Sequence, residues 1–160
     1  MLIGFHALTG ANAVSGFYRQ SKKSVFKKVN ANSESRQLLY NIGRKEHFNE
    51  EDITNVTKFI IRFMYNEKTS STLAQARAKK WKSMKNKTTL GLPPDEDSFR
   101  QHLLRANYQA KIWYDFESPS APADPQQHGY TFNGQYLLPV CHTNIACPDI
   151  LQKIDSEESD

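Results

Sequence analysis

The residues best suited to chemistry lie near the start of the chain, in the stretch TGANAVSGFYRQSKKSVFKKV at positions 9–29. Small and polar residues lead there into an amphipathic segment that is rich in lysine. This order is typical of a turn that presents its backbone to an anion, because N–H groups and ammonium groups both bind phosphate oxygens. The lysines concerned are Lys22, Lys23, Lys27 and Lys28.

A second basic run lies between Arg77 and Lys87 and contains Trp81. Basic side chains at this density can neutralise several phosphates, so both runs are candidates for binding DNA or RNA. The alternative is that both runs are solvated outer faces of helices and that Trp81 belongs to the core. The candidate contacts of the second run are Arg77, Lys79, Lys80 and Lys82.

Catalytic and metal-binding patterns are weak. The stretch CHTNIAC contains Cys141, His142 and Cys147, but it lacks the spacing of a zinc knuckle and a second pair of ligands. Acidic residues cluster at Glu50–Asp52 and Asp95–Asp97, where helix capping accounts for them. A G-x-S-x-G turn and a glycine-rich phosphate loop are both missing from the sequence. Residue types and spacing therefore indicate no catalytic site, no metal site and no cofactor.

The charge is divided unevenly along the chain. The net charge is +4, but residues 1–90 carry 17 basic and 6 acidic side chains, whereas residues 91–160 carry 4 and 11. Such a division can attract a polyanion to one end of the molecule, or it can let the two halves pack on each other.

Length and composition limit the class of protein. The 160 residues suit one structural unit with a core. Two cysteines suggest a reducing compartment. The opening MLIGFHAL is too short for a secretory signal, and no apolar run approaches the ~20 residues of a membrane span. We expect an intracellular protein, nuclear or cytoplasmic, that does not bind a membrane.

Hydrophobic periodicity predicts a mainly helical chain with a small β-hairpin near the C-terminus. Asn49 is a predicted N-cap, and Gly43 is a predicted stop. The predicted helices span Lys22–Asn30, Glu34–Ile42, Glu50–Tyr65, Thr72–Lys85 and Asp95–Phe116. The fourth of these should bury Ala74, Ala78, Trp81 and Met84, and the fifth should bury Phe99, Leu103, Ala106, Ala110 and Trp113.

The hairpin signal is Asn133-Gly134 between alternating apolar residues. Phe132 and Leu138 should pack against the long helix, because they need apolar partners. CPDILQKI suggests a last short helix, and DSEESD is an acidic end. We expect one structural unit with three regions: a basic helical region at 1–90, a long helix at 91–116, and a proline-rich loop, hairpin and acidic tail at 117–160.

Three stretches together resemble a known family. HALTGANAVSGFYRQSKK resembles HALTGCDTTSxFYGKGKK, and LPPDEDSFRQHLLRANYQAKIW is similar to LPPTxDxLRQHxxRANYQAxIW. HGYTFNGQYLLPV resembles the hairpin and proline that follow these motifs. They are typical of a group of animal proteins, many associated with mobile elements, that have a PIN-like, flap-endonuclease-type nuclease domain. The resemblance implies that this chain is the C-terminal helical part of such a protein.

The resemblance also implies a damaged active site. The Asp of the family's GCD would bind a divalent metal, with Mg²⁺ expected in intact relatives, and this chain has Asn12 there and Ala11 at the Cys position. Asn12 offers a neutral oxygen where a hard cation favours a carboxylate. The family's GKG corresponds to Arg19, Gln20 and Ser21, so both glycines that easily adopt positive φ are replaced. The remaining carboxylates would lie upstream of this chain.

The RANYQ stretch has no catalytic role that the resemblance implies. We expect it to form an interior hydrogen-bond network that docks the hairpin. The residues concerned are Arg105, Asn107, Tyr108, Gln109 and Trp113.

The resulting hypothesis is a degenerate, non-catalytic protein derived from a PIN/flap-type nuclease. It would bind nucleic acid weakly and without sequence preference. The alternatives are a helical protein-interaction module and a subunit that completes a nuclease core on another polypeptide. Apolar residues without a core at Leu2, Ile3, Phe5 and Leu8 would favour the subunit.

Overall fold

Side-chain caps begin five of the six α-helices in the computed structural model, which describes residues 1–85, 89–117 and 122–143. Asn49 shows the full pattern: its side chain accepts from Asp52 N (2.8 Å), and the Asp52 carboxylate accepts from Asn49 N (3.2 Å). Such caps pair N–H groups that the first helical turn leaves without partners. The other side-chain caps are Ser21, Asn32, Thr72 and Asp95.

The described chain is mainly helical, and one antiparallel hairpin follows the helices, so the predicted fold class is confirmed. Its α-helices are α1 (Leu2–Leu8), α2 (Lys22–Asn30), α3 (Ser33–Asn41), α4 (Glu50–Phe59), α5 (Leu73–Ser83) and α6 (Glu96–Tyr114). A π-helix at Ile60–Met64 continues α4, and a 3₁₀ turn at Pro125–His128 precedes β1 (Tyr130–Phe132) and β2 (Leu137–Pro139).

The core is built around α6, whose apolar stripe is buried as predicted except that Trp113 is half-buried. Helix α1 packs against both α6 and α3. Gly43 ends the α3 segment with φ +84°, and an added Cβ there would lie 2.6 Å from Ala110 Cβ. The turn after α3 therefore lies directly on α6, which requires a glycine on one side and a small side chain on the other.

The helix predicted at Glu50–Tyr65 is present, but its last turn is wider than an α-helix. Tyr65 N donates to Ile60 O (3.3 Å), the i to i−5 bond of a π-helix. Two consecutive residues of the π-helix, Ile60 and Ile61, are both buried in the core, and the rings of Phe59 and Phe63 are 5.2 Å apart. The apolar pattern of the sequence does not reveal the π turn, because one turn of a different period is too short to be distinguished from an α-helix.

The predicted buried face of α5 is wrong. Ala74, Ala78 and Trp81 are exposed, Trp81 to 39%, while Leu73 and Ala76 are buried. The helix contacts the core near its N-terminus, where Leu73 is buried. Alanine contributes little apolar area, so a stripe made mostly of alanines is a weak signal of burial.

The hairpin forms with Phe132 opposite Leu137, and Asn133-Gly134 lies in its loop as predicted. The predicted burial of its side chains is wrong: Phe132 is 54% and Leu138 is 41% exposed. The hairpin is attached at its base, where Val140 N donates to Gly129 O (2.9 Å).

The predicted last helix at CPDILQKI and the acidic end DSEESD lie outside the described residues. Among the helices of the described ranges, none has the length and apolar character needed to cross a membrane.

Candidate nucleic-acid interface

Residues 9–16 form a closed turn that holds Asn12 at its exposed tip. Ala11 N donates to Val14 O (2.8 Å), and Val14 N donates to Ala11 O (3.1 Å). Gly10 has φ +108°, and an added Cβ would lie 2.6 Å from Gly16 Cα. The two arms of the turn touch backbone to backbone, which only glycine permits.

Asn12 is not part of an acidic cluster in the described chain. Residues 1–85, 89–117 and 122–143 contain no group of three or more His, Cys, Asp and Glu side chains placed to hold a metal ion. At its tip the turn offers the neutral amide oxygen of Asn12, a poor ligand for a hard divalent cation.

His102 of α6 holds this turn in place by two hydrogen bonds. Its Nε2 donates to Leu8 O (2.8 Å), and the Ser15 hydroxyl donates to its Nδ1 (3.2 Å). Burial lowers the pKa of His102 to about 4, so the ring is neutral in the tautomer that these two bonds require. Sequence patterns did not single out His102 as a functional residue. Its place between Phe99 and Ala106 on the buried stripe is the signal that could have found it.

The segment between the closed turn and α2 has a strained backbone. Arg19, which replaces the first glycine of the GKG motif that this stretch resembles, has φ +56°. An L-residue in this left-handed region costs roughly 1–2 kcal/mol. Gln20 N donates to Phe17 O (3.2 Å), and the Ser21 side chain then caps α2. The positive φ is therefore present here although the glycine is not.

The four lysines of this region have different surroundings. Lys22 is half-buried: its Nζ donates to the Gly10 carbonyl and to His6 Nδ1 (3.0 Å), and desolvation lowers its pKa. It therefore stabilises the turn from inside the fold. Lys23, Lys27 and Lys28 are exposed on α2.

The second basic run is also partly engaged by the protein. Arg77 donates to the Pro93 carbonyl, and Lys79 pairs with Glu67 (2.9 Å) and donates to Thr69 Oγ1 (2.8 Å). Hydrogen bonds from Lys79 and Thr69 lower the pKa of Glu67 to about 2. Lys80 and Lys82 are exposed on the same helix.

Arg105 and Asn107 both make interior hydrogen bonds, and those of Arg105 reach the hairpin. Arg105 donates to Gly129 O (3.1 Å) and to the Val140 carbonyl, the two residues that close the hairpin base. Asn107 accepts from Gly43 N (2.7 Å) and donates to Lys45 O (2.9 Å), so it holds the loop between α3 and α4. Both side chains are buried, and they pair with backbone groups that need a partner once the chain folds.

The other residues of this motif lie nearer the surface. Tyr108 donates to Ala123 O (2.9 Å) and stacks on His128 at 4.8 Å between ring centroids. Trp113 stacks on His6 at 5.4 Å. Gln109 is half-buried. These contacts tie α6 to the segment before the hairpin and to α1.

A Ser–His–Asp group that sequence reasoning missed lies at the start of α6. Ser98 Oγ is 3.2 and 3.3 Å from the two ring nitrogens of His142, whose Nδ1 is 3.8 Å from Asp95 Oδ1. The Ser98 hydroxyl donates to Asp95 itself (2.8 Å), so the histidine does not bridge the other two as a catalytic triad requires. These polar contacts hold the segment after β2 against the N-terminus of α6.

The cysteine and histidine cluster of the sequence is only partly described. Thr143 N and Oγ1 donate to the Asp97 carboxylate (2.6 and 2.7 Å), which adds to the fastening of this segment. Cys141 is exposed, and Cys147 lies outside the described residues.

A groove of about 630 Å³ lies between α3 and the segment formed by α4 and the π-helix. Its lining combines aromatic side chains, amides, two cations and two carboxylates, Glu34 and Asp52. The groove begins at Asn32, two residues after the end of α2. Sequence reasoning did not identify it, because its walls come from segments that only the fold brings together.

Comparison with known proteins adds no relative. No family model matches the sequence, no curated protein matches it, and no solved structure matches it. The link to PIN-like nucleases thus rests on the sequence motifs alone.

Proposed function

We propose that this chain is a non-catalytic helical unit, derived from a PIN/flap-type nuclease, that binds nucleic acid weakly and without sequence preference. The contact surface is the turn-helix, which we define as residues 17–30. One observation carries the proposal: the strained turn at Arg19 leads directly into the N-terminus of α2, on which Lys23, Lys27 and Lys28 are exposed.

The geometry of the turn-helix suits a phosphate backbone. The first turn of α2 has N–H groups without helical partners and the positive end of the helix dipole, both of which attract anions. Lys23 and Lys27 are one helical turn apart and exposed, whereas Val25 and Val29 on the same helix are buried. Ammonium groups spaced in this way neutralise phosphates without reading bases, which supports binding that depends on salt and not on sequence.

The proposal that the chain is not catalytic rests on Asn12. Hydrolysis by two metal ions needs several anionic ligands to hold the ions in place. A neutral amide at the exposed tip of the turn supplies none of that charge.

Salt-dependent binding tests the proposal. Fluorescence anisotropy with a labelled single strand and a labelled duplex is followed between about 50 mM and about 200 mM salt. Changing Lys23, Lys27 and Lys28 together to Gln should flatten the slope of log affinity against log salt. On duplex DNA the slope should change by about 0.9 for each phosphate that the variant no longer neutralises. Lys22 is left unchanged because it stabilises the turn.

A matched control changes Lys80, Lys82 and Lys85 to Gln, which removes the same charge from the second basic run. Equal slopes for the parent and the α2 variant would exclude the turn-helix as the contact surface. A flatter slope in the control variant alone would assign binding to the second basic run.

A second candidate function is protein interaction, either as a module or as a subunit that completes a nuclease core on another polypeptide. The observation that favours it is the apolar hairpin, where Phe132, Tyr136, Leu137 and Leu138 are exposed. Helix α1 supports it only in part: Leu2 is 64% exposed and Ile3 is half-buried, but Phe5 and Leu8 are buried in this fold. Sedimentation of the chain with a purified PIN-like core tests it, and Phe132→Ser with Leu138→Ser should abolish the complex.

A further inference from the structure

The groove between α3 and the π-helix contains the chemical groups that bind a nucleobase. Phe48 and Phe63, both half-buried, contribute aromatic surface to its wall, whereas Phe59 beside them is buried in the core. Aromatic rings stack on the faces of unpaired bases, and every base has such a face. A volume of about 630 Å³ is within the range of small-molecule sites.

The π-helix shapes this wall. The rings of Phe59 and Phe63 are 5.2 Å apart, and the Arg62 guanidinium lies 5.7 Å from the centroid of the Phe63 ring. Arg62 and Lys58 both line the groove and are exposed. Single π turns within α-helices are often found at functional sites.

Amide side chains line the same groove. Gln37 Nε2 donates to Asn41 Oδ1 (3.2 Å), which leaves the Gln37 oxygen and the Asn41 amino group for a ligand. Asn55 also lines the groove, and its side chain is exposed there. An amide presents a donor and an acceptor side by side, as the edge of a base does.

We propose that this groove binds one unpaired base of a single-stranded nucleic acid whose phosphates follow α2. The inference rests on the proposed function, because α2 supplies the phosphate contacts. Helix α2 contacts the π-helix, and Asn32 joins the end of α2 to the groove, so a strand can pass from one to the other. Lys58 and Arg62 match the charge of the attached phosphate. Two carboxylates also line the groove: Asp52 is paired with Lys45 (2.5 Å), and Glu34 lies in the first turn of α3, so the strand should pass on the side of Lys58 and Arg62. An apolar peptide helix would leave the amides and cations without partners.

Three labelled probes test this inference: oligo-dT, an abasic strand of the same length, and a duplex. Phe63→Leu keeps an apolar side chain but removes the ring. It should weaken binding of oligo-dT by about fivefold or more, the size of one base–aromatic stack, and leave the abasic strand and the duplex unchanged. Asn55→Ala, at an exposed position, should weaken only oligo-dT. Phe132→Leu, an equal change on the hairpin, is the control and should alter nothing.

The outcomes separate this inference from the proposed function. If all three probes bind but Phe63→Leu and Asn55→Ala behave like the parent, the groove does not bind a base, although the turn-helix still binds phosphate. NMR titration of the parent with thymidine monophosphate should shift the amide signals of groove residues even if the α2 lysines contribute nothing. If these signals do not shift, the groove does not bind a base. If the groove signals are lost as the protein concentration rises, a second copy of the chain occupies the groove, and the inference is also overturned.

Discussion

The buried His102 should make the stability of this fold sensitive to mild acid. Its folded pKa is about 4, against 6.5 for an ordinary histidine. Below pH 6.5 the unfolded chain binds a proton that the folded chain cannot, so stability falls as the pH falls and levels off near the folded pKa. This difference in pKa lowers the free energy of unfolding by about 3 kcal/mol in total, at about 1.4 kcal/mol per pKa unit.

Most of this change lies between about pH 7 and about pH 5, where the linkage relation gives a loss of about 2 kcal/mol for one such histidine. Glu67 titrates lower: its pKa is about 2 in the fold, against an ordinary value of 4.5. Its contribution to stability is lost only as the pH falls below that ordinary value, so it changes little between about pH 7 and about pH 5.

Urea unfolding of the parent and of His102→Gln at both pH values measures the effect. Glutamine can donate to Leu8 O and accept from Ser15 as His102 does, but it does not titrate. The variant should lose about 2 kcal/mol less than the parent over this window. His128→Gln is the comparison variant, because burial also lowers the pKa of His128 and adds a contribution of the same sign. Identical pH profiles for the parent and His102→Gln would refute the neutral, buried state of this ring.

Three further predictions concern the turn, the long helix and catalysis. Arg19→Gly should stabilise the chain by about 0.5–1 kcal/mol in urea unfolding, because relief of the left-handed strain exceeds the entropy cost of glycine, whereas Lys27→Gly inside α2 should destabilise it by about 1 kcal/mol. If both variants were less stable than the parent, the positive φ at Arg19 would be contradicted. Trp113→Ala should lower the free energy of unfolding by about 2 kcal/mol, less than the ~3–5 kcal/mol of a fully buried ring, because Trp113 is half-buried. Lys80→Ala is the control and should not change it measurably. Equal unfolding midpoints for the two variants would mean that the stack of Trp113 on His6 is absent. The purified chain should not cleave flap, single-stranded or duplex DNA with Mg²⁺ or Mn²⁺, and Asn12→Asp alone should not create activity; metal-dependent cleavage that Asn12→Ala removes would show that the turn is catalytic.

The sequence by itself determined the helices whose signals are local. The predicted bounds of α2 are those of the structure, Asn49 caps α4, and Gly43 follows α3 with the expected positive φ. Caps, stops and apolar periodicity act within a few residues of the chain, so they can be recognised without knowing the fold. The stripe of α6 was predictable for the same reason, since the helix repeats its apolar period over 19 residues.

The tertiary structure alone decided which of those residues are buried or engaged. Helix α1 lacks a side-chain cap and has only seven residues, so its packing on α3 and α6 stabilises it. Trp81 and Phe132 are exposed because the described core forms around α6 and α1 and does not extend over them.

The candidate site divides in the same way. Lysine runs are visible in the sequence, but only the fold shows that Lys22 binds the Gly10 carbonyl and that Arg77 binds the Pro93 carbonyl, while Lys23 and Lys27 stay exposed. Burial and hydrogen bonding depend on groups far apart in sequence, such as Ser15 and His102, 87 residues apart. Local patterns hold no information about such pairs, because packing of the whole chain brings them together.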